Sequence, residues 1–195
     1  MDSLVIIIGD NFIGGIDLYN TTLRTMKIRK ISASPITVVS SKKIIGLEDT
    51  IISQNMVNLI KSEPWAFTVP GQPGLYAIQP SVYNGEVGVM TIPARGEATA
   101  NFIKDVMTSY PELVIIPVVL KPESINGSLA RLTNSYKLSD EVASKIYSDY
   151  KEHIEWRENV VPENIETITI EYPHISSLGT AMYVSKIIDR ITNKN

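Results

Sequence analysis

The sequence predicts an α/β fold in which helices cover both faces of a mostly parallel β-sheet. Four apolar runs have the length and β-branched content of buried strands: Leu4–Ile8, Val87–Ile92, Leu113–Leu120 and Ile165–Ile170. Helix-like stretches separate these runs, and parallel strands need such crossovers. A chain of 195 residues that is 44% hydrophobic can bury one substantial core. We therefore expect a single domain, 1–195, with three layers.

The first half of the chain predicts one helix, one short strand and an inserted subdomain. The helix is expected over Ile16–Met26 and the strand over Lys30–Ala33. Residues 35–85 are rich in Pro, Gly, Ser and Gln and contain only short apolar runs. We interpret this region as a small subdomain inserted into a core formed by residues 1–34 and 86–195.

The second half predicts three further helices. Ala98–Ser109 lies between Pro-containing segments and is expected to be a crossover helix. Ser139 provides an N-cap for a long helix, whose apolar positions recur at helical spacing: Val142, Ile146, Tyr150 and Ile154. Ser176–Ile191 is expected to close the fold, with Met182 among its apolar positions.

Composition excludes several classes of function. A net charge of −3 does not favour general nucleic-acid binding. The absence of cysteine excludes disulfides, thiol nucleophiles and thiolate zinc sites, and two isolated histidines disfavour a histidine metal site. The first apolar run is too short to cross a membrane and has no cationic leader before it. We expect a cytoplasmic protein with no metal and no cofactor.

A damaged phosphate loop follows the first apolar run. Gly9 and Gly14 have the spacing of the pattern G-x-x-x-x-G-K-[ST], in which backbone N–H groups cradle phosphates. Gly15 stands in place of the lysine, and Ile16 stands in place of the hydroxyl that holds Mg²⁺. The sequence therefore keeps the frame of the loop without its charged groups.

In this order of elements, the whole chain resembles the guanylate kinase family of nucleoside monophosphate kinases. Short segments match the family's pattern of phosphate loop, nucleotide-binding subdomain, strand and lid: Ile31–Thr37, Trp65-Ala66, Leu75–Ile78, Val89–Gly96, Val118–Pro122, Ser128–Leu132 and Leu138–Glu141. The resemblance implies a P-loop kinase-like fold with a helical lid at approximately residues 122–157. The departures fall on groups that the kinase chemistry needs: Pro64 and Pro93 replace expected carboxylates, and only Arg131 clearly matches a lid arginine.

The candidate site residues each have two interpretations. Gly9, Gly14 and Gly15 either form a surviving anion site or only connect a strand to a helix. The second interpretation is favoured, because Asp10 and Asp17 would repel a phosphate. Three further candidates for nucleotide binding are Tyr76, Arg95 and Arg131. Tyr76 is equally well explained as a packing residue, and Arg95 as a solvated residue at a helix start.

An aromatic stretch within residues 35–85 provides a candidate partner surface. Trp65 and Phe67 lie beside a Pro-Gly-rich segment and, with Tyr76, either bind a protein partner or form the core of the subdomain. The core interpretation is favoured for Trp65 and Phe67.

Three hypotheses for the function follow. The first is a catalytically inactive, guanylate kinase-like module that binds a protein or nucleotide in the former nucleotide cleft, as the resemblance to membrane-associated guanylate kinase scaffolds implies. The second is a divergent kinase that transfers phosphate from ATP, with Mg²⁺, to GMP or another nucleoside monophosphate, and it recruits cations from Lys42, Lys43, Arg95, Lys121 and Arg131. The third is a structural or assembly protein. The sequence favours the first, so we expect no enzymatic activity.

Overall fold

The computed structural model describes residues 3–10, 14–40, 49–51, 55, 58, 66–68, 75–77, 86–122, 125–155, 160–172 and 177–193. The strands in these ranges are β1 (Ser3–Ile8), β2 (Ala33–Pro35), β3 (Thr37–Ser40), β4 (Asp49–Ile51), β5 (Ala66–Thr68), β6 (Leu75–Ala77), β7 (Val87–Ile92), β8 (Val114–Pro122) and β9 (Ile168–Tyr172). The helices are α1 (Gly15–Ile28), α2 (Glu97–Ser109), α3 (Ile125–Asn134), α4 (Asp140–Glu155) and α5 (Ser177–Thr192). The predicted α/β class is confirmed.

The main sheet has five strands in the order β2-β7-β1-β8-β9, and every pair in it is parallel. β1 lies at its centre, with Val5 opposite Val89 on one side and Ile116 on the other. All six residues of β1 and of β7 are buried, as expected for strands covered on both faces. The fold is thus a three-layer α/β fold, in which helices flank an all-parallel sheet.

A second sheet of four strands, in the order β4-β3-β6-β5, lies within residues 35–85. β3 pairs with β4 in parallel and with β6 antiparallel, and β5 pairs antiparallel with β6. The helices α3 and α4 pack against each other within residues 122–157, where the helical lid is expected. That these stretches act as an inserted subdomain and a lid stays a prediction.

The short strand β2 begins three residues later than predicted. Lys30 adopts a left-handed conformation with φ of 58°, and the Ile31 N–H donates to the carbonyl of Met26 at 3.0 Å. This pattern is a Schellman-type end of α1, so residues 30–31 complete the helix and do not begin a strand.

The start of β9 and two apolar side chains also differ from the prediction. Ile165 lies in a turn, where its N–H donates to the carbonyl of Pro162 at 3.0 Å, so the strand starts at Ile168. Val142 is 46% exposed, because α4 turns Ala143 towards the core instead. Met182 in α5 is also exposed, at 61%.

No helix within the described ranges is long and apolar enough to cross a bilayer.

Candidate functional site

The candidate site lies at the carboxyl ends of β1 and β7, which are neighbours in the sheet. This is the edge at which open α/β sheets bind ligands. Gly9 continues the ladder, and its N–H donates to the carbonyl of Ile92 at 2.9 Å. The chain then enters α1 through Gly14, which is the N-cap and has φ of 95°. A residue with a side chain is strained at that angle, so a glycine is needed there.

Gly15 lies too close to the strand end to carry any side chain. A Cβ atom built on this residue would be 2.5 Å from the carbonyl oxygen of Gly9 and 3.3 Å from Oγ1 of Thr91. The obstructing oxygen belongs to the backbone, so it cannot move away by a rotamer change. Gly15 occupies the lysine position of the phosphate-loop pattern, and this backbone cannot hold a lysine there.

Arg95 forms an ion pair with Asp10 across the two strand ends. Its Nη1 donates to Oδ1 and Oδ2 of Asp10 at 3.0 and 3.2 Å, and to the carbonyl of Ala94 at 2.6 Å. The Asp10 side chain is 19% exposed and that of Arg95 is 37% exposed. The pair is therefore partly desolvated, which strengthens the attraction between its members compared with a fully exposed pair.

A buried threonine holds the turn that presents Arg95. The Thr99 hydroxyl accepts from the Arg95 backbone N–H at 2.8 Å and donates to the carbonyl of Pro93 at 3.2 Å. Gly96 caps α2 with a positive φ of 54°, which glycine tolerates best. The position of Arg95 thus depends on the loop after β7 as well as on its partner Asp10.

Arg131 forms the second ion pair of the site. It projects from α3, and its Nη2 donates to Oδ2 of Asp17 in the first turn of α1 at 2.6 Å. Both arginines that the sequence nominates for phosphate binding therefore contact carboxylates, Asp10 in the loop and Asp17 just after it. These two aspartates supply negative charge next to the guanidinium groups that a phosphate would otherwise approach.

Tyr150 of α4 lies near the ion pair of Asp10 and Arg95. Its hydroxyl donates to the carbonyl of Leu120, near the end of β8, at 2.6 Å. Burial raises the pKa of Tyr150 well above its ordinary value; the Asp10 carboxylate adds to this rise, and Arg95 opposes it. Tyr150 is therefore a neutral hydrogen-bond donor that ties α4 to the same edge of the sheet.

The other candidates fall in the second sheet or outside the described residues. Phe67 in β5 is the direct cross-strand partner of Tyr76 in β6. Trp65 and the two lysines proposed for a divergent kinase, Lys42 and Lys43, lie outside the described ranges. Lys121 lies near the end of β8 and is exposed. The described residues include no cluster of three or more groups suited to holding a metal ion.

Sequence reasoning did not find the ion-pair partners or the role of the Tyr150 hydroxyl. In the sequence, Asp10 and Asp17 are recognisable only as groups that repel phosphate, and Tyr150 only as an apolar position of a helix. The Asp10–Arg95 pair had a detectable pattern, because each residue follows a buried parallel strand and the ends of such strands meet at one edge. The contact between Arg131 and Asp17 spans 114 residues and depends on how α3 packs, so no local pattern indicates it.

Comparisons with known proteins support the fold and give no information about the function. No protein-family model matches the chain, and no curated protein matches it. The crystal structure of APE1195 is similar, with a TM-score of 0.52 and 11% sequence identity over 97% of this chain and 94% of that one. At this identity the likeness concerns the α/β fold alone.

Proposed function

We propose that the protein is a catalytically inactive, guanylate kinase-like binding module. Its ligand would occupy the former nucleotide cleft, between the segment 35–85 and the lid near Arg131. The observation that carries the proposal is the 2.5 Å approach of a Cβ at position 15 to the carbonyl oxygen of Gly9. A kinase of this type needs a lysine at that position to stabilise the charge on the transferred phosphoryl group.

The two ion pairs give independent support to the loss of catalysis. A divergent kinase needs Arg95 and Arg131 to contact phosphate, and both contact aspartates. A bound phosphate would have to displace these carboxylates and would meet their repulsion. The same arrangement favours a protein ligand over a nucleotide, because a protein can engage the surface around the cleft without delivering phosphate to the loop.

A phosphotransfer assay tests the loss of catalysis. The purified protein is incubated with ATP, Mg²⁺ and each of GMP, dGMP, AMP and CMP, and an active guanylate kinase is run in parallel as a positive control. We expect product formation equal to that of the protein-free blank. Turnover that is lost in the folded variants Arg95→Ala and Arg131→Ala would refute the proposal and support a divergent kinase.

Photo-crosslinking in the native host tests the binding role. A photoreactive amino acid is placed at Tyr76, within the proposed cleft, or at Asn101, which is exposed on α2. We expect a discrete protein adduct from position 76 that is absent from position 101 and is identified by mass spectrometry. Identical adduct patterns from the two positions, or none from position 76, would count against a protein ligand in the cleft.

A further inference from the structure

A second, cationic surface lies away from the candidate site, between α1 and the edge strand β2. It is an open groove of about 760 Å³. Its apolar lining, called the floor here, consists of Leu23, Ile31, Ala33 and Pro35, and the hydroxyl-bearing Ser32 lies beside them. Since β2 is the last strand of the main sheet, one side of the groove is a sheet edge. We name this surface the α1–β2 groove.

Three cations line the α1–β2 groove. Arg24 and Lys27 belong to α1, and Lys30 follows it in the turn. Within the described part of the chain, none of these three side chains forms an ion pair. Cations near the end of a helix are favourable in themselves because they complement the helix dipole. The helix dipole does not explain why these cations lie beside an apolar surface and the edge strand β2.

One carboxylate, that of Glu86, lies close to the groove. Glu86 accepts hydrogen bonds from the hydroxyls of Ser32 and Ser34 at 2.9 and 2.8 Å. Ser32 itself lines the groove together with Ala33 and Pro35, so Glu86 reaches the groove at this residue. One carboxylate offsets at most one of the three positive charges, so the groove keeps a net positive charge that favours an acidic ligand.

The backbone of β2 has hydrogen-bonding groups that point outward. The Ser32 carbonyl accepts from the Val87 N–H, and the Ile36 N–H donates to the Val89 carbonyl, so even-numbered residues face β7. In a parallel ladder the residue between two such positions points the other way, which directs the N–H and carbonyl of Ala33 to the outer side. Pro35, the other outward residue, has no N–H, so a partner strand would pair through the Ala33 N–H and the carbonyls of Ala33 and Pro35.

We propose that the α1–β2 groove binds an extended acidic peptide segment of a partner protein. The peptide adds a strand to β2, places apolar side chains on the floor and directs carboxylates towards the three cations. Carboxylates at alternate positions of a strand are about 7 Å apart. Arg24 and Lys27 are about 4.5 Å apart along the axis of α1, so their long side chains can reach two carboxylates on one face of the peptide. The first groove residue on α1, Leu23, lies about 12 Å along the helix from Gly15, so this site is separate from the proposed cleft.

A nucleic acid fits the groove less well than a peptide. Three of its described lining residues are cations, fewer than the roughly six to ten phosphate contacts of a protein whose affinity for DNA is strongly salt-dependent. The apolar floor and the outward backbone groups of Ala33 contribute nothing to a phosphate backbone. Both features contribute directly to the binding of an extended peptide.

Selection from a displayed library of random peptides, with the full chain as bait, tests the proposal. We expect enriched sequences to carry Asp or Glu at alternate positions with Val or Ile between them. The best peptide is then synthesised with a fluorescent label, and its affinity is measured by anisotropy. The double variant Arg24→Glu with Lys27→Glu should bind it at least about tenfold more weakly, whereas the matched control Lys104→Glu with Lys145→Glu should change little.

A third variant tests strand addition itself. Ala33→Pro removes only an outward N–H, so the ladder to β7 stays intact and the melting temperature should change little while peptide affinity falls. Enriched peptides without acidic residues, or binding that is unchanged in the Arg24→Glu with Lys27→Glu variant, would overturn the proposal. Tighter binding of a single-stranded oligonucleotide of equal charge would overturn it too, in favour of a nucleic-acid site.

Discussion

At the scale of single residues, Gly15 determines that the loop carries no side chain at its lysine position. Its Cα lies where any Cβ would collide with the Gly9 carbonyl oxygen. A lysine side chain is therefore excluded by the packing of α1 against the end of β1, as well as being absent from the sequence. Restoring a lysine would require the start of the helix to move.

Gly15→Ala should destabilise the protein, which is the reverse of the usual effect of this change in a helix. Alanine normally stabilises a helical position by about 1 kcal/mol relative to glycine. Here the backbone clash outweighs that gain, and we expect a net loss of about 1–3 kcal/mol. Urea denaturation measures the change, with Asn101→Ala on α2 as the control for a new alanine on an exposed face. A stabilised Gly15→Ala protein would contradict the close packing described here.

Tyr150→Phe should destabilise the protein by about 1–3 kcal/mol at neutral pH, because it leaves the carbonyl of Leu120 without its donor. The pKa of Tyr150 is raised in the folded state, so the unfolded state ionises first, above about pH 10. The contribution of this hydroxyl is thus complete below that pH and is lost as the pH rises further.

Chemical denaturation of both proteins between about pH 7 and pH 11 measures this dependence. The stability advantage of the wild type over Tyr150→Phe should shrink above about pH 10, and other tyrosines cancel in the difference. An advantage that stays constant through this range would show that the hydroxyl is not buried as described.

At the scale of elements, two ion pairs join α1 and its loop to their neighbours. Asp10 binds Arg95 at the start of α2, and Asp17 binds Arg131 of α3. The second pair is more exposed, with the Asp17 side chain 55% accessible, so it adds little to stability. Its main consequence is electrostatic: the carboxylates take up the cations that could otherwise hold a phosphate.

Removing both carboxylates should therefore uncover an anion site. In the double variant Asp10→Asn with Asp17→Asn, the guanidinium groups are released, and we expect millimolar pyrophosphate to raise the melting temperature more than it does for the wild type. The control Asp149→Asn with Asp189→Asn makes the same charge change at exposed positions of α4 and α5. An equal response in both double variants would mean that only net charge matters.

The elements were largely predictable from the sequence, whereas the site contacts were not. β1 and β7 could be recognised because a strand buried on both faces is apolar throughout. The start of β2 could not, since the Schellman-type end of α1 uses Lys30 in a left-handed conformation that glycine more often provides. Val142 was wrongly predicted to face the core, because apolar spacing alone does not show that the small Ala143 packs inward.

At the scale of the whole molecule, the fold presents two separate surfaces. One is the sheet edge where β1 and β7 end, at which Arg95 and Arg131 contact aspartates, and the other is the cationic α1–β2 groove. We propose that the site at the ends of β1 and β7 does not bind nucleotide phosphates, because the arginines there contact aspartates.

A thermal-shift titration of the wild-type protein with ATP, ADP, GMP and dGMP, with and without Mg²⁺, tests this claim most directly. Any ligand that binds the folded state must raise the melting temperature by mass action. We predict no Mg²⁺-dependent stabilisation by ATP, because position 15 carries no lysine and both arginines contact aspartates. A rise in melting temperature with ATP that requires Mg²⁺ would contradict this proposal and favour the divergent kinase.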